Sequence, residues 1–284
     1  ISDYPEIDAL CRDILKEDLG MSVASFRADS VSEELVDSLA KSGLRTITLA
    51  PEAGSVRMRK VINKGIEEEH LLHTVDLALQ AGIRQFKLYI MIGLPYEEEE
   101  DVEAISAMAL RLEAHIREKK ERAQITLSIN PFIPKPCTPF QWLPMAEEKW
   151  VKASMKTIRK SLAPYRNIRI IAESPKSAYV QGVLARGDRR VSRALHRAFL
   201  AGGAKSFKRA LQEEGLAFQD FLQATHPEEA LFPWDVLDMG FSKQYLYREL
   251  QRAAALQYTK PCFSGCTRCG VCDTMEEGHV SAQT

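Results

Sequence analysis

Through residue 172 the apolar positions alternate between strand-like and helical spacing, and each change predicts a new element. Met21 to Arg27 reads as a strand, and Ser30 with Glu33 offers a capping box to a helix carrying Leu35, Val36 and Leu39, which Gly43 stops. Leu44 to Ala50 reads as a second strand, followed by a short helix over Val56 to Ile62 and a longer one holding Leu71, Leu72, Val75 and Leu79. Phe86 to Ile92, apolar but for Lys87, has the character of a strand buried on both faces. Glu97 to Asp101 opens a helix whose acidic start and basic end, Arg117 to Lys120, suit the helix macrodipole. Gln124 to Ile129 and Ile168 to Ala172 complete five strands.

Strands alternating with helices imply parallel crossovers and an α/β sheet, either open and doubly wound or part of a barrel. In both architectures chemistry gathers beyond the carboxyl ends of the strands. Those positions carry Arg27-Ala28-Asp29, Pro51-Glu52-Ala53-Gly54-Ser55, Gly93-Leu94-Pro95 and Asn130-Pro131. Glycine and proline punctuate turns anyway, and Ser55 can serve simply as a helix cap. Glu52 is harder to explain that way, because a carboxylate between a strand and a glycine has little structural duty.

Composition changes the picture in what it excludes. A chain of 284 residues that is 45% hydrophobic and 27% charged reads as globular, and a net charge of -1 argues against wholesale nucleic-acid binding. No apolar run approaches a membrane span, and a cytoplasmic setting fits. There, clustered cysteines bind metal more often than they form disulfides. Cys262, Cys266, Cys269 and Cys272 form C-x3-C-x2-C-x2-C, four of six cysteines within eleven residues. The soft thiolates suit an iron-sulfur cluster first and zinc second.

The strand-end segments, together with Ile62-Asn63-Lys64-Gly65, Lys87 to Pro95 and Pro134 to Trp142, resemble radical S-adenosylmethionine enzymes. More narrowly they resemble the cobalamin-binding branch, in a subgroup that ends in a similar cysteine cluster. The resemblance implies a partial (β/α) barrel, of TIM-barrel kind but lacking its first strand, over residues 1–175. A helical extension over 176–258 and a cysteine-rich metal-binding tail over 259–284 would follow. It implies cofactor contacts from Arg27, Asp29, Glu52, Ser55, Gly93, Leu94 and Pro95, and metal ligation by Cys262, Cys266, Cys269 and Cys272. Lys135, Thr138 and Gln141, in a proline-rich loop, would hold polar groups over a substrate or form a rigid lid.

The family's catalytic 4Fe-4S cluster is held by C-x3-C-x2-C after the first barrel strand, yet no such motif precedes Ser25. Ser2-Asp3-Tyr4-Pro5 resembles the turn after the second strand. The resemblance therefore implies a fragment, with an upstream cobalamin-binding domain and the catalytic cysteines outside it, unable alone to cleave S-adenosylmethionine. The terminal cysteines would hold an auxiliary 4Fe-4S cluster or zinc. Arg268 stands where an aromatic usually precedes the third cysteine. The implied enzyme generates a 5′-deoxyadenosyl radical, using cobalamin for methyl transfer or performing another radical modification, with ferredoxin or flavodoxin as reductant.

Residues 176 to 210 carry nine positive side chains against Asp188. They read either as a solvated face opposite Val191, Leu195 and Phe199 or as an RNA surface, the latter not favoured. A metal-stabilised RNA-binding module and a cobalamin-independent RNA-modifying enzyme are the alternative functions.

Overall fold

The computed structural model describes residues 4–263 and 265–271. These residues form two compact units, one joining the chain up to residue 131 with 149–173, the other joining 132–148 with the chain from 174 onward.

In the first unit, α1 (Ile7–Lys16) and α2 (Glu33–Lys41) lead into β1 (Thr46–Glu52). Then come α3 (Val56–Val61), α4 (Glu68–Gln80), β2 (Gln85–Ile92), α5 (Glu99–Glu118), β3 (Gln124–Pro131), α6 (Glu148–Leu162) and β4 (Ile168–Ala172). The cap of α2 is Ser32, whose hydroxyl accepts from Leu35 N, because Ala28–Ser30 form a short 3-10 turn instead of the expected capping box at Ser30. Met21 to Arg27 does not form the predicted strand. Only Phe26 pairs, in an isolated parallel bridge to Leu49.

The four strands are all parallel, in the order β1-β2-β3-β4. A doubly wound sheet reverses its strand order at a switch point. This sequential order is instead the singly wound one, consistent with a partial barrel, and right-handed crossovers then place the helices on a single face. That face is Ile47 and Leu49, Phe86, Leu88, Ile90 and Ile92, and Ile125, Leu127 and Ile129, all buried.

The opposite face corrects the expectation for Phe86 to Ile92. Lys87, Tyr89 and Met91 alternate with the buried residues and are only half-buried. Tyr89 and Met91 count as apolar in a sequence pattern, which makes a one-sided strand look two-sided.

The second unit holds α7 (Pro175–Arg186), α8 (Val191–Leu200), α9 (Phe207–Glu213), α10 (Phe218–Leu222) and α11 (Lys243–Ala254). Its core gathers Ile133, Met145, Val183, Phe207, Leu211 and Leu222. Helix α8 buries Val191, Ala194 and Ala198, whereas Leu195 and Phe199 are 48% and 76% exposed, so the predicted apolar face is rotated toward the small residues. The small side chains allow the close helix approach that Leu195 and Phe199 would block. The basic run is partly neutralised: Arg190 pairs with Asp188, Arg197 with Glu214 and Arg209 with Glu213.

Candidate functional site

At the end of β1 the register slips between Leu49 and Glu52, and Glu52 adopts φ 65°, a left-handed conformation rare outside glycine. Such backbone strain clusters at functional sites. The slip aligns Glu52 with Ile90 of β2 and leaves its carboxylate partly exposed, 3.5 Å from Lys64 Nζ. Arg27 donates to both carboxylate oxygens of Asp29 at 3.1 and 2.7 Å and to the Lys64 carbonyl at 3.5 Å. Two ion pairs, Arg27–Asp29 and Lys64–Glu52, thus stand at the strand ends, joined where Arg27 donates to the Lys64 backbone carbonyl.

Gly54 is required by packing: a Cβ there would stand 2.2 Å from the backbone nitrogen of Ile105 in α5. Ser55 caps α3, accepting from Met58 N at 3.0 Å, and donates to Asp101 Oδ1 at 2.6 Å. The capping reading of Ser55 therefore holds, and its hydroxyl is engaged both as donor and as acceptor. Behind the turn lies Arg59, 2% exposed, donating to the carbonyls of Ala53 and Gly54. Burial lowers its pKa, and its Nε has no partner among the described residues.

The turn after β2 is built in the same way. Gly93 has φ 74°, and Leu94 is buried while Pro95 is half-buried. The Gly93 amide donates to Glu97 Oε2 at 2.6 Å, and Trp150 Nε1 donates to the same oxygen at 2.9 Å. Burial pushes the Glu97 carboxyl up to about 7, against the pull of those two hydrogen bonds.

Arg57 joins the two turns. It forms a short ion pair with Asp101 and donates to the Tyr96 carbonyl at 2.6 Å. Burial works to raise the Asp101 carboxyl, but hydrogen bonds from Arg57 and Ser55 outweigh it and hold the group below its ordinary value.

The structure places Arg27, Asp29, Glu52, Ser55 and the Gly93-Leu94-Pro95 turn, all singled out in the sequence, at or next to the strand ends. Sequence reading missed Lys64, Arg57, Arg59, Asp101, Glu97 and Trp150. In the sequence Lys64 stands only as part of Ile62-Asn63-Lys64-Gly65, and Glu97 only as the start of a helix.

In the loop 132–148, Gln141 is 3% exposed, and its Oε1 accepts from Cys137 N and Trp234 Nε1. Thr138 donates to the Lys135 carbonyl. Gln141 and Thr138 thus brace the loop from within.

In the tail, Cys262 is exposed, Cys266 buried and Cys269 half-buried; Cys272 lies outside the described residues. Arg268 Nε donates to Cys266 Sγ at 3.1 Å, while its Nη2 donates to the carbonyls of Lys260 and Pro261. Hydrogen bonds from Arg268 hold the Cys266 thiol below its ordinary pKa. Among the described residues, no three His, Cys, Asp or Glu are arranged to hold a metal ion.

The donor set at the strand ends does fit S-adenosylmethionine, which presents an ammonium, a carboxylate and ribose hydroxyls. Carboxylates at Glu52 and Asp29 are paired with cations at Lys64 and Arg27, and the Gly93 turn adds a positive-φ glycine that lets backbone approach a ligand. No described helix is long and apolar enough to cross a membrane.

Residues 1–109, which include both turns, match the family model described as the radical SAM superfamily. The chain is also 34% identical over 197 residues to the uncharacterized protein MJ0966 of Methanocaldococcus jannaschii. That match covers 69% of this chain and 41% of the relative, so the chain spans less than half the length of the protein it resembles.

Proposed function

We propose that this chain is part of a radical S-adenosylmethionine enzyme of the cobalamin-binding branch, modifying its substrate by methyl transfer or another radical reaction. The observation that carries the reading is the pairing of the Glu52–Ser55 and Gly93–Pro95 turns at the carboxyl ends of adjacent parallel strands, linked through Arg57 and Asp101. The superfamily match over residues 1–109 supports the same reading. The cobalamin assignment rests on the resemblance of the strand-end motifs.

Held here by Glu52, Asp29, Lys64 and Arg27, S-adenosylmethionine would supply radical chemistry: one-electron reduction by an iron-sulfur cluster would release methionine and leave an adenosyl radical able to abstract hydrogen from a substrate. The side chains of this chain bind and orient. Glu52 and Asp29 offer acceptors to the ammonium or ribose, Lys64 and Arg27 offer donors to the carboxylate, and the Gly93 turn admits the adenosyl portion. Buried packing beneath both turns fixes these groups before the ligand arrives, which is how a protein contributes to cofactor chemistry.

The catalytic cluster is assigned to cysteines outside this sequence. The C-x3-C-x2-C-x2-C tail is assigned to an auxiliary iron-sulfur cluster, with zinc as the alternative occupant. Anaerobic reconstitution with iron and sulfide, followed by absorption spectroscopy and metal analysis, distinguishes the two. A colourless protein with stoichiometric zinc rejects the cluster.

The central test is S-adenosylmethionine affinity of the metal-reconstituted protein, measured by calorimetry. Glu52→Ala should weaken it about tenfold or more, equivalent to about 1.4 kcal/mol. Unchanged affinity removes Glu52 from the cofactor site. The 284 residues alone should release no 5′-deoxyadenosine.

A further inference from the structure

The helix-free face of the sheet carries polar residues in register across all four strands. Thr48, Lys87, Thr126 and Arg169 form one row from β1 to β4. Tyr89, Ser128 and Ile171 form the next row toward the carboxyl ends, and Met91 with Asn130 the one after. In most parallel sheets both faces are closed by apolar packing. Here one face is Ile, Leu and Phe, while the other offers hydroxyls, an amide and two cations.

The hydrogen-bonding capacity of this face is unused. Among the described residues, the side chains of Thr48, Thr126, Ser128, Asn130 and Arg169 make no hydrogen bond or ion pair, and Lys87 and Tyr89 meet only each other. The neighbouring strand-end turns differ sharply, since Ser55, Arg57, Asp101 and Glu97 are all paired there. Thr48 and Ser128 are nearly buried, yet the only buried side-chain polar atoms without partners among the described residues are Arg59 Nε and Ser106 Oγ. The Thr48 and Ser128 hydroxyls therefore open onto accessible space.

The cations set the sign of what this face can hold. Lys87 Nζ lies 4.8 Å from the centre of the Tyr89 ring, two residues nearer the carboxyl end of β2, so its ammonium is displaced toward the strand-end turns. Arg169 stands two strands away in the same row, at a backbone separation of roughly 10 Å given the ordinary strand spacing. Long cationic side chains on backbones that far apart, with no carboxylate partner among the described residues and with Thr126 between them in the row, can converge on one phosphate or carboxylate group.

We infer that this face binds an anionic group of the second substrate, with Lys87 and Arg169 as its charge partners and Thr126, Ser128 and Asn130 as hydrogen-bond partners. The inference rests on the proposed enzyme reading for the word substrate, while the anion site itself stands on the sheet geometry.

The test is calorimetric titration of the 284-residue chain with inorganic pyrophosphate and, separately, with citrate. At least one should bind with Kd below about 1 mM, and Lys87→Met and Arg169→Met should each weaken it about tenfold or more. Ser128→Ala and Thr126→Val, which barely alter volume, provide a second route should a cation variant fail to fold; each should weaken binding about threefold or more. Lys156→Met, on the outer surface of α6, should leave it unchanged.

The inference is overturned if neither anion binds in that range, or if the Lys87, Arg169, Thr126 and Ser128 variants that fold all bind as the parent does. A parallel titration with S-adenosylmethionine separates the two readings. Anion binding that depends on Lys87 without any Glu52-dependent binding of S-adenosylmethionine sustains this site and rejects the cofactor assignment. The reverse pattern rejects this site alone.

Discussion

Trp150 Nε1 donates to Glu97 Oε2 across 2.9 Å, tying α6 to the turn that follows β2, because the same oxygen also accepts from the Gly93 amide. The carboxylate is thus a structural acceptor in a buried place, and burial pushes its pKa from 4.5 up to about 7. Between those two values the folded protein keeps a proton that the unfolded chain has released. Stability should therefore be greatest below pH 4.5 as far as Glu97 is concerned, fall as pH rises toward 7, and level off above it. Glu97→Gln keeps an acceptor oxygen and should flatten that dependence. Glu97→Ala strands both donors and should cost about 1–3 kcal/mol at every pH. Urea unfolding at several pH values between 4.5 and 8 checks all three, and an unaltered pH profile in the Gln variant rejects the assignment.

Asp101 should show the opposite sign. Its carboxyl is held below 3.8 in the folded state, so the stabilisation it provides is complete above that value and is lost as the pH falls through the folded pKa. Asp101→Asn removes the nearer and more buried carboxylate partner of Arg57, leaving only Glu98 at 3.7 Å, and should cost about 2–4 kcal/mol at neutral pH. In strong acid the variant and the parent should converge. Unfolding by guanidinium at pH 7 and at successively lower pH below 3.8 measures the difference, and a gap that does not narrow as the pH falls would falsify the electrostatic explanation.

The strand ends were legible in the sequence because the feature that marks them, an odd polar residue between an apolar run and a glycine, is local. Glu52 stands out for that reason, and the Gly93-Leu94-Pro95 turn because a glycine and a proline end an apolar run. Their partners did not stand out. Ser55 meets Asp101 and Glu97 meets Trp150 only because successive crossovers bring distant segments beside one another, and no local pattern encodes those meetings. The strand expected at Met21 to Arg27 fails for a related reason: its composition suits a strand, but only Phe26 finds a partner in β1. The free sheet face was hidden by amphipathic residues. Lys87, Tyr89 and Met91 have long apolar portions, so alternation with Phe86, Leu88, Ile90 and Ile92 looks like continuous hydrophobicity.

Gly54→Ala should disrupt the first unit at one point. The added Cβ would meet Ile105 N at 2.2 Å and the Ala104 carbonyl carbon at 2.5 Å, both backbone atoms of α5 that no side-chain rotation can move. The expected cost is about 3 kcal/mol or more, through overpacking against a rigid neighbour. Gly20→Ala, where nothing stands within 4 Å of the new carbon, is the control and should change stability by less than about 0.5 kcal/mol. Thermal unfolding of the two variants decides the matter, and equal melting temperatures would mean that α5 yields to the turn.

In the second unit the comparable point is Arg186, whose guanidinium donates to the carbonyls of Phe221 at 2.7 Å, Gln141 at 3.2 Å, Leu143 at 2.5 Å and Ala224 at 2.7 Å. Burial lowers its pKa to about 10, which still leaves it charged near neutrality. One planar fork thereby ties the loop before α6 to the chain around α10, a task that three divergent ammonium protons cannot reproduce. Arg186→Lys should therefore destabilise the second unit nearly as much as Arg186→Met, by about 3 kcal/mol or more, because both leave several buried carbonyls without donors. Two of the three tryptophans, Trp142 and Trp234, lie in this unit, so their fluorescence during urea unfolding reports its midpoint directly. A Lys variant that matches the parent would show that charge alone, and not the geometry of the fork, holds these segments together.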